Sequence, residues 1–344
     1  MQEALFYEKL ENGKARCLVC QRGCVIDKDG YGFCHTRVNI KGTVYTLAYG
    51  KASTVQCAPI EAKPLFHFLP GSSWLSVGTL GCNFLCPGCQ NWEIAHARFS
   101  LDDRLPEDRF LQYFSPEALM RLAREKGCMG LSFTYNEPAV WFEYALDCAR
   151  IAKKQRLLVN WVTNGFVSKA ALDEIGPFLD AYRVDIKGFS PEVYRSTAHI
   201  SEFEGILEVT GHAKRRWNCH IEIVTNIIPD WNDTNEELNG IARWIVQALG
   251  QDTPWHVTRY IPRHELSHID ATPVGTLERA RRIGLSSGLR YVYIGNVSGH
   301  NAQNTYCPGC GKLLIERDDF TVKRICMDNG KCPECSTEVP GRWH

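Results

Sequence analysis

Three cysteines, Cys82, Cys86 and Cys89, stand in the stretch Gly81-Cys82-Asn83-Phe84-Leu85-Cys86-Pro87-Gly88-Cys89 with Cys-x3-Cys-x2-Cys spacing. Three thiolates this close can hold one face of a cubane [4Fe–4S] cluster, whose irons are bound by cysteine sulfur. No fourth cysteine lies nearby, so one iron is left open for another ligand. The same residues fit part of a zinc site, which wants four ligands, or an inert buried cysteine cluster. Trp74-Leu75-Ser76-Val77-Gly78 reads as a strand directly ahead of Cys82. This favours the cluster, because active sites of parallel barrels gather where strands end.

The chain has sixteen cysteines in 344 residues, and its first fourteen residues do not read as an export signal. Metal is therefore a better explanation than disulfides, and a reducing cytoplasm is expected. Cys17-x2-Cys20-x3-Cys24 is followed by Cys34 beyond the turn Asp29-Gly30-Tyr31-Gly32. These four could hold zinc or a second iron–sulfur cluster, and either would give a small segment a core. Cys307-x2-Cys310 and Cys332-x2-Cys335 flank a charged, hairpin-like stretch. Such paired knuckles are a zinc-ribbon pattern, with a rubredoxin-like iron site as the alternative. Cys326 falls outside the pattern, and Cys57 is read as a small buried hydrophobe.

Between these ends the sequence alternates strands and helices. Strands are expected at 74–78, 130–135, 157–162, 181–186, 219–225, 255–260 and 291–295. Ser115 followed by Pro116 starts a helix to Glu125, another spans 138–153, and Thr234 with Glu237 forms a capping box. Alternation of this kind means crossover units on a parallel sheet. The expected fold is α/β: a partial parallel (β/α) barrel of seven strands over 72–303, with Cys-rich metal-binding segments at 1–71 and 304–344.

Strand ends carry further candidates. Asn136 and Glu137 follow the second strand, in Thr134-Tyr135-Asn136-Glu137-Pro138, and Glu137 is also placed to cap the next helix. Thr163 and Asn164 end the third strand. Asp185 and Lys187 end the fourth, where a structural salt bridge between them is the plain alternative. Asn226 follows the fifth strand and His264 the sixth.

With Cys82-Asn-Phe-Leu-Cys86-Pro-Gly-Cys89-Gln-Asn-Trp92, the segments Thr134–Pro138, Val184-Asp-Ile-Lys-Gly188, Thr225-Asn-Ile-Ile-Pro229 and Asn304–Gly311 complete a pattern. Over nearly its whole length the chain resembles the radical S-adenosylmethionine (SAM) proteins of the AmmeMemoRadiSam system. These are relatives of the pyruvate formate-lyase activating enzymes, which act on glycyl-radical enzymes. The resemblance implies a [4Fe–4S] cluster on Cys82, Cys86 and Cys89, with SAM on its open iron, cleaved reductively to a 5′-deoxyadenosyl radical that abstracts hydrogen. With SAM there, the strand-end residues Asn136, Glu137, Thr163, Asn164, Asp185, Lys187, Asn226 and His264 are the ones expected to contact it, a lone surface histidine being the alternative for His264. The resemblance also implies an electron donor of flavodoxin or ferredoxin type and links to Memo-like and AMMECR-like proteins. Two departures stand out: Gly88 replaces the usual aromatic residue before the third cysteine, and Val162 replaces an acid before Thr163-Asn164-Gly165.

The substrate is then a protein, peptide or small molecule, or the glycine of a partner glycyl-radical enzyme. A non-catalytic zinc or iron–sulfur adaptor is the competing reading. A formal net charge of zero removes the basic footprint expected of a nucleic-acid partner. No stretch approaches the roughly 20 apolar residues of a membrane span.

Overall fold

The computed structural model describes residues 1–99, 101 and 111–343. Its contacts divide the chain into two units: residues 1–58, 73–182 and 203–219, and residues 59–72, 183–202 and 220–344.

In the first unit the sheet strands are β1 (Thr54–Pro59), β2 (Ser73–Gly78), β3 (Gly130–Phe133) and β4 (Leu158–Thr163), in the order β1-β2-β3-β4. β3 pairs in parallel with both β2 and β4 and sets Ser76, Ser132 and Asn160 in one register row. Burial of nearly every residue in β2 and β3 explains their continuous apolar reading. Helix α1 (Trp92–Ala95) follows the cysteine loop, and α2 (Pro116–Glu125) and α3 (Phe142–Lys154) flank β3. Ser115 caps α2 as the sequence predicts, its hydroxyl accepting from the Ala118 N–H. Residues 138–141 form a separate 3₁₀ turn ahead of α3, so the helix expected over 138–153 is two elements. The N-terminal segment is built of short antiparallel strands: Tyr7–Lys9, Ala15–Cys17 and Val25–Ile26 in one sheet, Arg37–Ile40 and Thr43–Thr46 in another. The fully buried pair Arg37–Glu143 (2.6 Å) ties the latter to α3.

β5 (Ala181–Asp185) carries residues of both units. In the second unit, β6 (His220–Ile227), β7 (Trp255–Arg259) and β8 (Val292–Gly295) pair in parallel in that order. α4 (Asn235–Trp244) starts at Thr234, whose hydroxyl accepts from the Glu237 N–H, and α5 (Val274–Ser286) precedes β8. The charged stretch of the tail is an antiparallel hairpin, Leu313–Asp318 with Thr321–Ile325. It packs with Phe66, Tyr291, Tyr293, Cys307, Cys332 and Val339 in one apolar cluster.

Seven of the eight core strands lie within two residues of the expected bounds. The unexpected one is β1, whose Pro59 and polar Thr54 and Gln56 disguise a strand at the sheet edge. This corrects the reading of Cys57, which is exposed on β1.

Candidate functional site

β2 delivers the chain straight into the loop of Cys82, Cys86 and Cys89. Gly81 turns the backbone at φ +84°, and a Cβ there would lie 2.5 Å from the Cys34 carbonyl oxygen, so only glycine fits. The loop is braced by residues far away in sequence. The Asn136 Oδ1 accepts from the Thr79 N–H (3.2 Å) and its Nδ2 donates to the Gly81 carbonyl (2.7 Å). Asn91 Nδ2 donates to the Tyr135 carbonyl (2.7 Å). The Arg22 guanidinium, 3.7 Å from the centre of the Phe33 ring, donates twice to the Asn83 carbonyl (2.9 and 3.2 Å).

Glu137 is 2% exposed and caps the turn after β3, accepting from the Ala139 N–H (3.0 Å). It also accepts from the Thr163 hydroxyl (2.8 and 2.9 Å) and the Asn164 N–H (2.8 Å) at the end of β4. Asn164 Nδ2 in turn donates to Asn83 Oδ1 (2.7 Å). Asn136 thus fixes the backbone of the cysteine loop, while Glu137, Thr163 and Asn164 form a hydrogen-bonded group that reaches its Asn83 side chain. Sequence spacing could not disclose this bracing role, nor the contribution of Arg22, 61 residues from Asn83.

The electrostatics are one-sided. Burial first, then Glu137, Cys86 and Cys89, push the Cys82 thiol well above its ordinary range. The Asn83 Nδ2 is buried with no hydrogen-bond partner. Three sulfurs and a carboxylate call for a cationic group, and the orphaned amide for an acceptor. These residues therefore fit an iron–sulfur cluster with a ligand beside it.

Cys17, Cys20, Cys24 and Cys34 belong to the same unit. The Cys17 N–H donates to the Cys24 carbonyl (2.9 Å), and Gly23 N–H to the Cys20 carbonyl (3.2 Å). Burial pushes the Cys17 thiol up to about 11 and Cys20 further, and neighbouring thiols of this quartet add to both shifts.

The remaining candidates lie in the second unit. Asp185 pairs with Arg183 (2.8 Å), two residues back on the same strand face. The structural ion pair considered for Asp185 therefore exists, with Arg183 where Lys187 was the expected partner. Asn232, which is not among the candidates read from sequence, is 1% exposed and donates to the carbonyls of Lys187 (2.7 Å) and Asn226 (2.9 Å). The only cue is an asparagine in a Pro-Asp-Trp-Asn-Asp turn. Asn226 itself is exposed, and the His264 Nε2 lies 3.3 Å from Glu265.

In the tail, the Sγ atoms of Cys307, Cys310, Cys332 and Cys335 all lie within 4.8 Å of one another, the one such set among the described residues. Four thiolates about 2.3 Å from a tetrahedral ion stand about 3.8 Å apart, so the tail fits a single metal ion.

The sequence profile of the Radical SAM superfamily matches residues 76–245, from β2 through α4. An uncharacterised protein of Methanocaldococcus jannaschii is 39% identical over 342 residues, covering 98% of this chain and 99% of its own. The chain belongs to the radical SAM superfamily. A second protein of that organism, named as a glycyl-radical enzyme activating enzyme, is 21% identical over 66% of this chain and 80% of its own. The isethionate sulfite-lyase activating enzyme of Oleidesulfovibrio alaskensis is 25% identical over 33% of this chain and 37% of its own. A radical SAM methyltransferase of Sphaerobacter thermophilus matches the fold with a TM-score of 0.50 at 16% identity, covering 72% of this chain and 71% of its own. This radical SAM protein thus combines the superfamily's mostly parallel α/β core with a metal-binding group of four cysteines in its tail.

Proposed function

We propose that this protein is a radical SAM enzyme that abstracts hydrogen from a protein, peptide or small-molecule substrate. Cys82, Cys86 and Cys89 would hold a [4Fe–4S] cluster and leave one iron for the amino and carboxylate groups of SAM. A reduced cluster held there would supply the electron that splits the SAM sulfonium into methionine and a 5′-deoxyadenosyl radical. The chain's own part is to hold the loop rigid and dry. Asn136 and Arg22 fix its carbonyls, Glu137 fixes Thr163 and Asn164, and Asn83 Nδ2 waits for an acceptor. The observation that carries the reading is this braced loop, with the half-buried Cys82 beside Glu137 and the orphaned amide. Asp185, Lys187, Asn226 and His264 stay assigned to SAM on their place at or after strand ends.

Zinc is the metal proposed for the tail, because its sulfurs sit at single-ion distances. The N-terminal quartet is proposed as a second metal site, zinc or iron–sulfur. Membership of the AmmeMemoRadiSam system, with Memo-like and AMMECR-like partners and a flavodoxin or ferredoxin donor, is proposed on the resemblance; the three-part division at 71 and 303 is proposed on the cysteine grouping and the strand–helix alternation, and a cytoplasmic setting on cysteines better explained by metal than by disulfides. A glycyl-radical activase is the second reading, favoured by the activating enzymes among its relatives. Anaerobic incubation with SAM and dithionite tests the proposal: 5′-deoxyadenosine forms, and none forms after Cys86→Ala. A protein loaded with iron that leaves SAM intact overturns it. Co-incubation with a glycyl-radical enzyme, read by electron paramagnetic resonance, separates the two substrate classes.

A further inference from the structure

Two cysteines outside every proposed metal site face each other in the first unit. The Cys128 Sγ lies 3.4 Å from the Cys57 Sγ, about 1.4 Å beyond bonding distance. Cys57 is exposed on the edge strand β1, and Cys128 is buried in the turn between α2 and β3. The tail sulfurs stand at similar separations, Cys307–Cys335 at 3.4 Å and Cys310–Cys332 at 3.6 Å, but there four converge. Around Cys57 and Cys128 no third cysteine, histidine or carboxylate completes a metal-sized set among the described residues. Two thiols alone are too few for a metal and well placed for a disulfide.

We propose that Cys57 and Cys128 form a reversible disulfide, a redox-responsive modification site distinct from the radical SAM centre. The oxidant is a low-molecular-weight disulfide such as oxidised glutathione. The exposed Cys57 loses its proton to solvent and its sulfur attacks the reagent, forming a mixed disulfide and expelling one glutathione thiolate. The Cys128 sulfur, on losing its proton, attacks the Cys57 sulfur and expels the second. One protein disulfide is gained and the reagent is reduced to two thiols. Burial pushes the Cys128 thiol up to about 11, so Cys57 is the group that reacts first.

The bond has a structural consequence at the centre. Gln56, the neighbour of Cys57, donates through Nε2 to the Tyr135 hydroxyl. Tyr135 sits at φ +75° beside Asn136, and its carbonyl anchors Asn91. A cross-link at Cys57 would fix the edge strand that holds this tyrosine.

The test uses metal-loaded full-length protein, kept free of oxygen, titrated with oxidised glutathione and alkylated before non-reducing peptide mapping. The expected result is a Cys57–Cys128 linked peptide that dithiothreitol removes, with the iron and zinc content unchanged. The linkage closes a loop of about 70 residues, so Tm rises by roughly 5 °C or more in the oxidised form. Cys57→Ser must abolish both the linked peptide and the rise, while Cys128→Ser leaves Cys57 as the stable mixed disulfide. Full alkylation of both cysteines, or glutathione retained on Cys57 in wild type, overturns the proposal. The mapping requires no SAM cleavage, so its outcome is independent of the proposed enzyme activity.

Discussion

The cysteine loop after β2 and the cysteine quartet of the tail bind metal, on this account, by opposite strategies. In the tail the sulfurs already converge to single-ion distances, and the two knuckles that carry them flank the hairpin in sequence. Cys307 and Cys332 are buried within an apolar cluster, while Cys310 and Cys335 are exposed. The site is self-contained. The loop of Cys82, Cys86 and Cys89 is the reverse. In a cubane each thiolate caps a different iron, so the sulfurs need not converge as they do around one ion. Its geometry is borrowed from Arg22, Asn91, Asn136 and Asn164, whose side chains hold backbone or amide groups of the loop and its surroundings. A metal site that only stabilises can be closed by its own ligands. One that must leave an iron open needs supports elsewhere, because it lacks the fourth ligand that would complete it.

The largest expected effect separates the two. Replacing Cys82, Cys86 and Cys89 together with alanine should remove the loop's iron and all SAM cleavage, a loss above about 10³-fold, while tail metal stays at one ion per chain. Metal analysis by mass spectrometry and chromatographic assay of 5′-deoxyadenosine check both halves. The converse variant, Cys332→Ala, should release the tail ion and lower Tm on the order of 10 °C, because a structural site contributes directly to folding. Iron-normalised SAM cleavage should persist.

Acid should act on the second unit through the buried histidines next to the tail cluster. His67 bonds Tyr293 (2.6 Å) and the Pro340 carbonyl (2.8 Å), and its backbone N–H donates to Glu222 (2.7 Å), which also accepts from His256 (2.7 Å). Burial lowers His67 to about 4 and lowers His256 as well. Glu222 is depressed by its histidine partners, which outweigh the cost of its burial. A histidine held neutral in the fold contributes stability above its unfolded pKa near 6.5. That stability is lost as pH falls from about 6.5 to about 4, with a loss of about 3 kcal/mol for His67. Glu222 adds a further loss below about 4.5. Urea unfolding between pH 7 and 4 measures the slope, and His67→Gln should flatten it.

The smallest effect concerns bracing. Asn136→Ala strands the Thr79 N–H and Gly81 carbonyl and should slow SAM cleavage about 10-fold, with iron content nearly unchanged. Single-turnover formation of 5′-deoxyadenosine reads this. A rate equal to wild type would mean that the loop holds its shape unaided.

The cysteine motifs and most strands are legible because spacing and periodicity are local signals. Cys82-x3-Cys86-x2-Cys89 and the paired tail knuckles stand out without any fold, and the buried parallel strands read as apolar runs. What stayed hidden depends on contacts distant in sequence. The Asn136–Gly81 bond joins residues 55 apart, and Arg22 reaches Asn83 across 61. Asp185 found Arg183 because a strand puts residues two apart on one face, and the pattern offered Lys187 equally well. Cysteine is usually a small buried hydrophobe, and that reading of Cys57 fails because β1 is a polar edge strand ending in proline, which leaves the side chain exposed.

The most direct test of the central claim is iron, sulfide and zinc analysis of anaerobically reconstituted protein, coupled to 5′-deoxyadenosine formation with SAM and dithionite. The account predicts that the Cys82/Cys86/Cys89 triple alanine variant loses about four irons per chain and all SAM cleavage, and keeps its tail metal. Wild-type protein that takes up only zinc and leaves SAM intact would contradict it and leave a metal-binding adaptor in its place.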